Sequence, residues 1–131
     1  MNCFLIDFPT YEDGRGSLTF IESLNHVPFQ VKRIYYLYDI SASSSRGGHA
    51  HKNLHQILIP ISGSFNVQVD DGFTSETYFL NKPYCGLFIG NYIWREITNF
   101  SSGSVCLVLA SEFYLEEDYI RNYDDFKSLV L

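Results

Sequence analysis

The residues best suited to chemistry are gathered in one short stretch, Arg46-Gly47-Gly48-His49-Ala50-His51-Lys52. Histidines at i and i+2 on a strand project from the same face, so both imidazoles would enter one cavity. An imidazole titrates near neutrality, at about 6.5, so it can both take a proton and return one. The guanidinium of Arg46 is a permanent cation with paired planar donors, which suits a phosphate or a developing oxyanion. A second stretch, Arg33-Ile34-Tyr35-Tyr36, adds to this set. Alternation puts Arg33 and Tyr35 on one face and Tyr36 on the other, making Tyr35 a candidate proton relay or hydrogen-bond donor, or else a core residue. Arg15, Arg121 and His26 (in the loop before Val27-Pro28) are further candidates for contacts to an anionic or nucleotide ligand.

Such a site needs a rigid frame, and the rest of the sequence describes one. Turn signals recur at Asp13-Gly14, Ser62-Gly63, Asp71-Gly72, Lys82-Pro83, Gly90-Asn91 and Ser102-Gly103. Between them lie runs rich in β-branched and aromatic residues: 31–38, 56–61, 65–69, 74–80, 86–89, 96–100 and 105–110. This rhythm predicts an antiparallel all-β sandwich or barrel. Phe65, Val67 and Val69 alternate with polar residues, as a strand with one wet face requires. From Leu115 onward acidic residues precede helically spaced apolar ones, which predicts one or two short C-terminal helices.

The composition narrows the class of function. The 131 residues suit one domain, 1–131, with 46% apolar and 18% charged residues. The aromatic share of 17% can fill a core and an interface, and can also provide stacking surfaces. A net charge of −6 argues against nucleic acid, yet a few converging arginines can still attract a small anion. No run is long enough to span a membrane, and the three cysteines (Cys3, Cys85, Cys106) share no ligand spacing. Free thiols in a reducing cytoplasm are therefore expected.

His49-x-His51 is also how the metal motif of a cupin begins. Here the pattern continues as Gln56 and Gly63, so a neutral amide takes the carboxylate's place. In the second motif Arg95 stands where a third histidine would, and a guanidinium cannot ligate a divalent ion. No metal and no cofactor are expected. The sequence as a whole resembles the sugar 3,4-ketoisomerases that act on dTDP-4-keto-6-deoxy-glucose. The resemblance rests on Asp13-Gly14-Arg15-Gly16-Ser17-Leu18, Val27 through Tyr36, Arg46 through Lys52, Asp70-Asp71-Gly72, Trp94-Arg95-Glu96 and Tyr119-Ile120-Arg121-Asn122-Tyr123. It implies a cupin-type jelly-roll barrel, a homodimer and a dTDP-linked 4-keto-6-deoxy sugar as substrate. The sequence departs from the family at Gly48, where a bulky residue is expected, and at Arg95, where relatives often carry histidine.

Shifting the ketone from C4 to C3 means removing the C3 proton, forming an enediol and reprotonating at C4. On this reading His49 is the base and His51 handles the oxygen or the second proton; spacing alone allows the reverse. Arg33 and Arg46 would face the diphosphate or the oxyanion, and Arg95 is a further substrate-binding candidate. The competing classes are a dTDP-sugar 3,5-epimerase, a metal-dependent oxygenase and a non-catalytic nucleotide-sugar-binding module.

Overall fold

The computed structural model describes residues Met1–Leu131. Strand β1 (Cys3–Asp7) leads into a hairpin, β2 (Thr10–Asp13) and β3 (Gly16–Thr19). After a loop come β4 (Arg33–Leu37), β5 (Arg46–His51), β6 (Gln56–Ser62) and β7 (Phe65–Asp70). They are followed by β8 (Ser75–Leu80), β9 (Cys85–Ile89), β10 (Trp94–Thr98) and β11 (Val105–Ala110). The chain ends with a 3-10 turn (Glu116–Asp118), β12 (Tyr119–Ile120) and helix α1 (Tyr123–Val130).

Two five-stranded antiparallel sheets form, in the orders β1-β9-β6-β11-β4 and β12-β5-β10-β7-β8. Alternation explains their packing. Phe65, Val67 and Val69 of β7 point inward and meet Leu58, Leu87, Cys106 and Val108 of the opposite sheet in one core. Strand β6 reads as a continuous apolar run because it is buried on both faces. Leu58 enters the core between the sheets, while Ile57 and Ile59 pack outside against Phe8, Val27, Phe29 and Phe88. Helix α1 covers the outer face of the second sheet by setting Phe126 against Ala50, Trp94 and Ile120. Asn122 caps it, accepting the Asp125 N–H at 3.0 Å.

The expected cupin-type fold is present as two facing sheets, neither of which closes on itself, since no ladder joins one to the other. Strands β4 and β5 are consecutive but lie in opposite sheets, which leaves a gap between β4 and the β5–β12 edge. Three other expectations also change. Strand β10 begins two residues before the expected 96–100 run and stops at Thr98, followed by Asn99 with φ 56°. The single strand β1 and the β2–β3 hairpin carry no strong alternation and were not expected as strands. Within the tail, Tyr119–Ile120 is a strand that pairs with β5 (Tyr119 opposite His51, Ile120 opposite Ala50), and only Tyr123–Val130 is α-helical. All three cysteines are free thiols, and no helix is long and apolar enough to cross a membrane.

Candidate active site

The gap between the sheets opens into a cavity of about 630 Å³. Arg33, Tyr35 and Leu37 of β4 line it on one side, and Arg46 and His49 of β5 on the other. Gln56, Leu58, Arg95, Ile97 and Val108 form its floor, and Tyr119 and Arg121 stand at the β12 edge. Four arginines face this space and no carboxylate does. In a chain of net charge −6, the positive charge is thus concentrated where a ligand would sit.

Local backbone geometry explains how Arg46 and His49 share a wall although they are an odd number of residues apart. His49 pairs with Arg95 and Gly47 with Glu96, so Gly48 is an extra residue, forming a bulge in β5. Gly47 and Gly48 have φ of 93° and 64°, a region that favours glycine. A Cβ on Gly47 would also come within 2.9 Å of the Arg95 carbonyl oxygen. The bulge reverses the alternation and turns Arg46 back toward the cavity. It also gives a conformational reason for glycine at position 48.

The two histidines occupy different depths. His49 lies on the cavity wall, and its Nδ1–H donates to the Gly47 carbonyl at 3.0 Å. Its Nε2, which then carries the lone pair, is buried and has no partner. Burial first, and then the charge of Arg95, lower the His49 pKa to about 4, partly opposed by the Gly47 hydrogen bond. The ring is therefore neutral at pH 7 and able to accept a proton. His51 sits behind it, fully buried, with ring centroids 4.8 Å apart and planes nearly perpendicular. Its Nδ1–H donates to Asp118 Oδ2 at 3.1 Å, leaving Nε2 buried and free. The Asp118 carboxylate also accepts the N–H groups of Asn53 (2.7 Å) and Leu54 (3.3 Å), so His51 must be the donor of that pair. Burial, then Arg95, then His49 push the His51 pKa down, so this imidazole too is held neutral.

Arg95 is 2% exposed and tightly held. Its Nε and Nη2 donate to the Ile93 carbonyl at 3.2 and 2.9 Å, and Nη1 donates to Gln56 Oε1 at 2.6 Å. Gln56 Nε2 in turn donates to Tyr35 Oη at 2.9 Å. Burial lowers the Arg95 pKa to about 10, still well above neutrality, and raises that of Tyr35. These side chains do not suit a divalent ion: the one amide oxygen within reach is taken by a fixed cation, and no cluster of three or more His, Cys, Asp or Glu side chains is arranged to hold a metal. Arg33 has Nε and Nη2 buried without hydrogen-bond partners, and its guanidinium lies over the rings of Tyr35 (5.2 Å) and Tyr114 (5.6 Å). Unpartnered cationic donors on a cavity wall are suited to an anion.

Seven of the nine residues singled out from sequence therefore converge here, with His51 behind the wall rather than on it. Arg121 is at the rim, paired with Glu116 (2.7 Å) and stacked over Tyr119 (4.2 Å). Arg15 and His26 do not reach the cavity of their own chain. Arg15 lies on the exposed hairpin, paired with Asp13 at 2.9 Å. His26 Nδ1 accepts the Glu22 N–H at 2.9 Å, and its ring meets Phe20 edge-on. Asp118 and Tyr119 were missed. Asp118 stands third in a run of acids that suits a helix start, and β12 is too short to show a period. Gln56 stands out in the sequence as the amide in the carboxylate's place or as a simple strand-end polar residue, and neither reading shows its two hydrogen bonds.

The fold and the site together define a cupin-like protein whose inner cavity combines neutral imidazoles with fixed cations. More specifically, the chain belongs to the FdtA family, described as WxcM-like, C-terminal, whose model matches residues 1–131. It is 44% identical over 126 residues to a TDP-4-oxo-6-deoxy-alpha-D-glucose-3,4-oxoisomerase of Aneurinibacillus thermoaerophilus, covering 96% of this chain and 91% of that one. A 3,4-ketoisomerase structure from Helicobacter canadensis superposes with a TM-score of 0.97 at 48% identity, covering 99% and 98% of the two chains. The sugar 3,4-ketoisomerase QdtA from Thermoanaerobacterium thermosaccharolyticum, solved in complex with TDP, does so with a TM-score of 0.97 at 43% identity, covering 98% and 94%.

Proposed function

We propose that this chain is a sugar-nucleotide 3,4-ketoisomerase that moves the keto group of a dTDP-4-keto-6-deoxy-hexose from C4 to C3. The observation that carries the reading is His49, neutral and with a free Nε2, on the wall of a cavity with four arginines and no carboxylate. His49 removes the C3 proton, and the electron pair moves through the C3–C4 bond onto O4. Tyr35 donates a hydrogen bond to the oxygen that becomes negative, and the nearby Arg95 charge stabilises it. O4 takes up a proton to complete the enediol, which then collapses the other way: a second proton arrives at C4, O3 loses its proton, and the carbonyl is restored at C3. The substrate is its own oxidant and reductant, so no cofactor is needed. His51, backed by Asp118, serves as the second proton-handling group behind His49. Arg33, Arg46 and Arg121 take the diphosphate.

The working unit is proposed to be a homodimer. Ile34 and Tyr36 on β4 and Ile61 on β6 leave the outer face of their sheet exposed and apolar, next to a groove of about 690 Å³ beneath the β2–β3 hairpin. In a dimer, Arg15 and His26 would serve the neighbour's ligand, which accounts for their distance from their own cavity.

The test is incubation with dTDP-4-keto-6-deoxy-glucose in D₂O, followed by NMR of the sugar. A 3-keto product should form with deuterium incorporated, and His49→Asn should abolish both events while dTDP affinity persists. Exchange and product formation that survive His49→Asn undiminished would remove His49 from the base role. Deuterium at C5 without a keto shift would indicate an epimerase instead.

A further inference from the structure

We propose that Arg95 and Gln56 form a hydrogen-bond relay that fixes the direction of the Tyr35 hydroxyl proton, which makes Gln56 a positioning residue for the reaction. The inference rests on the reading above, in which Tyr35 donates to an oxygen of the sugar. It starts from a rule of donors and acceptors: a guanidinium has only donors, whereas an amide side chain has one oxygen and one NH₂. Arg95 Nη1 lies 2.6 Å from Gln56, and the guanidinium is fixed by Nε and Nη2, which both donate to the Ile93 carbonyl. The end of Gln56 facing Arg95 must therefore be the oxygen. Its NH₂ must then face Tyr35, 2.9 Å away, and the phenol oxygen must accept there. Both Arg95 and Gln56 are 2% exposed, so water cannot relax this order.

The consequence falls on Tyr35. With one lone pair occupied by Gln56, its single O–H has to point elsewhere. Within the chain it finds no acceptor: His49 Nε2 is unpartnered, and the nearby Arg33 and Arg95 offer only donors. The open direction is the cavity that Tyr35 lines. A ligand oxygen placed there meets a hydroxyl already oriented to donate, so no reorientation is required as charge develops. Gln56 also polarises the phenol, since a bond donated to its oxygen stabilises the charged form and offsets part of the upward pull of burial on the Tyr35 pKa.

Reversing the polarity tests the idea. Gln56→Glu is nearly isosteric and satisfies Arg95, but it offers Tyr35 an acceptor, and the phenol proton turns away from the substrate. Gln56→Met removes the bond and leaves that proton free to reach the ligand. The expected order of turnover is wild type, then Gln56→Met, then Gln56→Glu. The last should be lower by about a hundredfold, the usual effect of losing an oxyanion donor, with KM and dTDP affinity unchanged. In a Tyr35→Phe background, Gln56→Glu should cost much less than it does in the wild type, because only its charge effect on Arg95 remains and the hydroxyl it orients is gone. A packing role gives the opposite order, with the isosteric Glu variant the more active, and that order overturns the relay. Additive losses with Tyr35→Phe overturn it as well. Should Gln56→Glu fail to fold, Arg95→Met provides the second route. It frees the amide to turn and lowers turnover, and adding Gln56→Met should restore part of the loss; no restoration refutes the relay. Full activity in Tyr35→Phe alone would instead defeat the assigned role of Tyr35, an outcome separate from failure of the relay.

Discussion

The acid limb of the pH–rate profile should lie far below the ordinary imidazole range. His49 is drawn from 6.5 to about 4 by burial and by Arg95, a difference that opposes protonation by roughly 3 kcal/mol. At about pH 5.5 an unperturbed imidazole would be only about one-tenth neutral, whereas His49 would remain more than about nine-tenths neutral. Turnover per KM, which reports the free enzyme, should therefore stay within about twofold between pH 7 and 5.5 and fall only toward about 4. Arg95→Met should move the limb upward, but not all the way to 6.5, because burial is the larger cause and is unchanged. Stability follows the same sign. Between about 6.5 and 4 the unfolded chain binds the proton that folded His49 refuses, so its contribution to stability falls as pH drops through that window, while buried His51, held neutral to still lower pH, goes on reducing stability below it. Initial rates in overlapping buffers, with urea unfolding at each pH, measure both quantities. A limb near 6.5 in the wild type, or a downward move in Arg95→Met, would falsify the electrostatic account.

Three further outcomes are expected. Activity should survive exhaustive chelation with EDTA, since Arg95 holds the one amide oxygen that a metal could use at the cavity floor; loss on chelation with recovery on adding a single metal would contradict this. Arg33→Ala should weaken dTDP binding about ten- to a hundredfold by calorimetry, the effect of a charge-assisted bond worth about 1.5–3 kcal/mol, and unchanged affinity would make Arg33 structural. Asp118→Asn should leave the ring of His51 in place but remove the acceptor that fixes its tautomer. Turnover should then fall by at least about tenfold, with a loss of stability of about 1–3 kcal/mol from its weakened bonds to Asn53 and Leu54; wild-type turnover in that variant would remove Asp118 from the site.

Much of this site was legible before any coordinates. Parity alone put Arg33 and Tyr35 on one face and sent Tyr36 outward, as found. The i, i+2 histidines were rightly placed on one strand, but strand periodicity carries no information about depth, and so His51 was not separated from the cavity wall. Depth is set by Asp118, at the end of the 3-10 turn, and Tyr119, on the two-residue strand that follows it, both from the far end of the chain. Nothing local distinguishes that strand from the acidic start of a helix. The apolar runs of β6 and β11 and the alternation of β7 were clear because each strand buries one face or both. The β2–β3 hairpin was visible only as its turn, since Tyr11 and Leu18 stay exposed and no buried face imposes a period.

The positions that begin and end the cupin metal motif still meet in this fold. Positions 49, 51, 56 and 95 do converge: His49 is cross-strand from Arg95, His51 lies behind His49, and Gln56 is bonded to Arg95. The four positions thus lie together while the chemistry they offer is not that of a metal centre. A guanidinium supplies fixed positive charge at the centre, which a divalent ion would otherwise bring. That charge has two effects that favour the same reaction. It adds to burial in keeping both imidazoles unprotonated, and in the proposed mechanism it also lowers the energy of the enediolate oxygen formed as the C3 proton is removed. A carboxylate at position 56 would neutralise the first effect and weaken the second. The neutral amide leaves Arg95 its full charge while still satisfying its hydrogen bond, so the two departures from the metal pattern, Gln56 and Arg95, depend on each other.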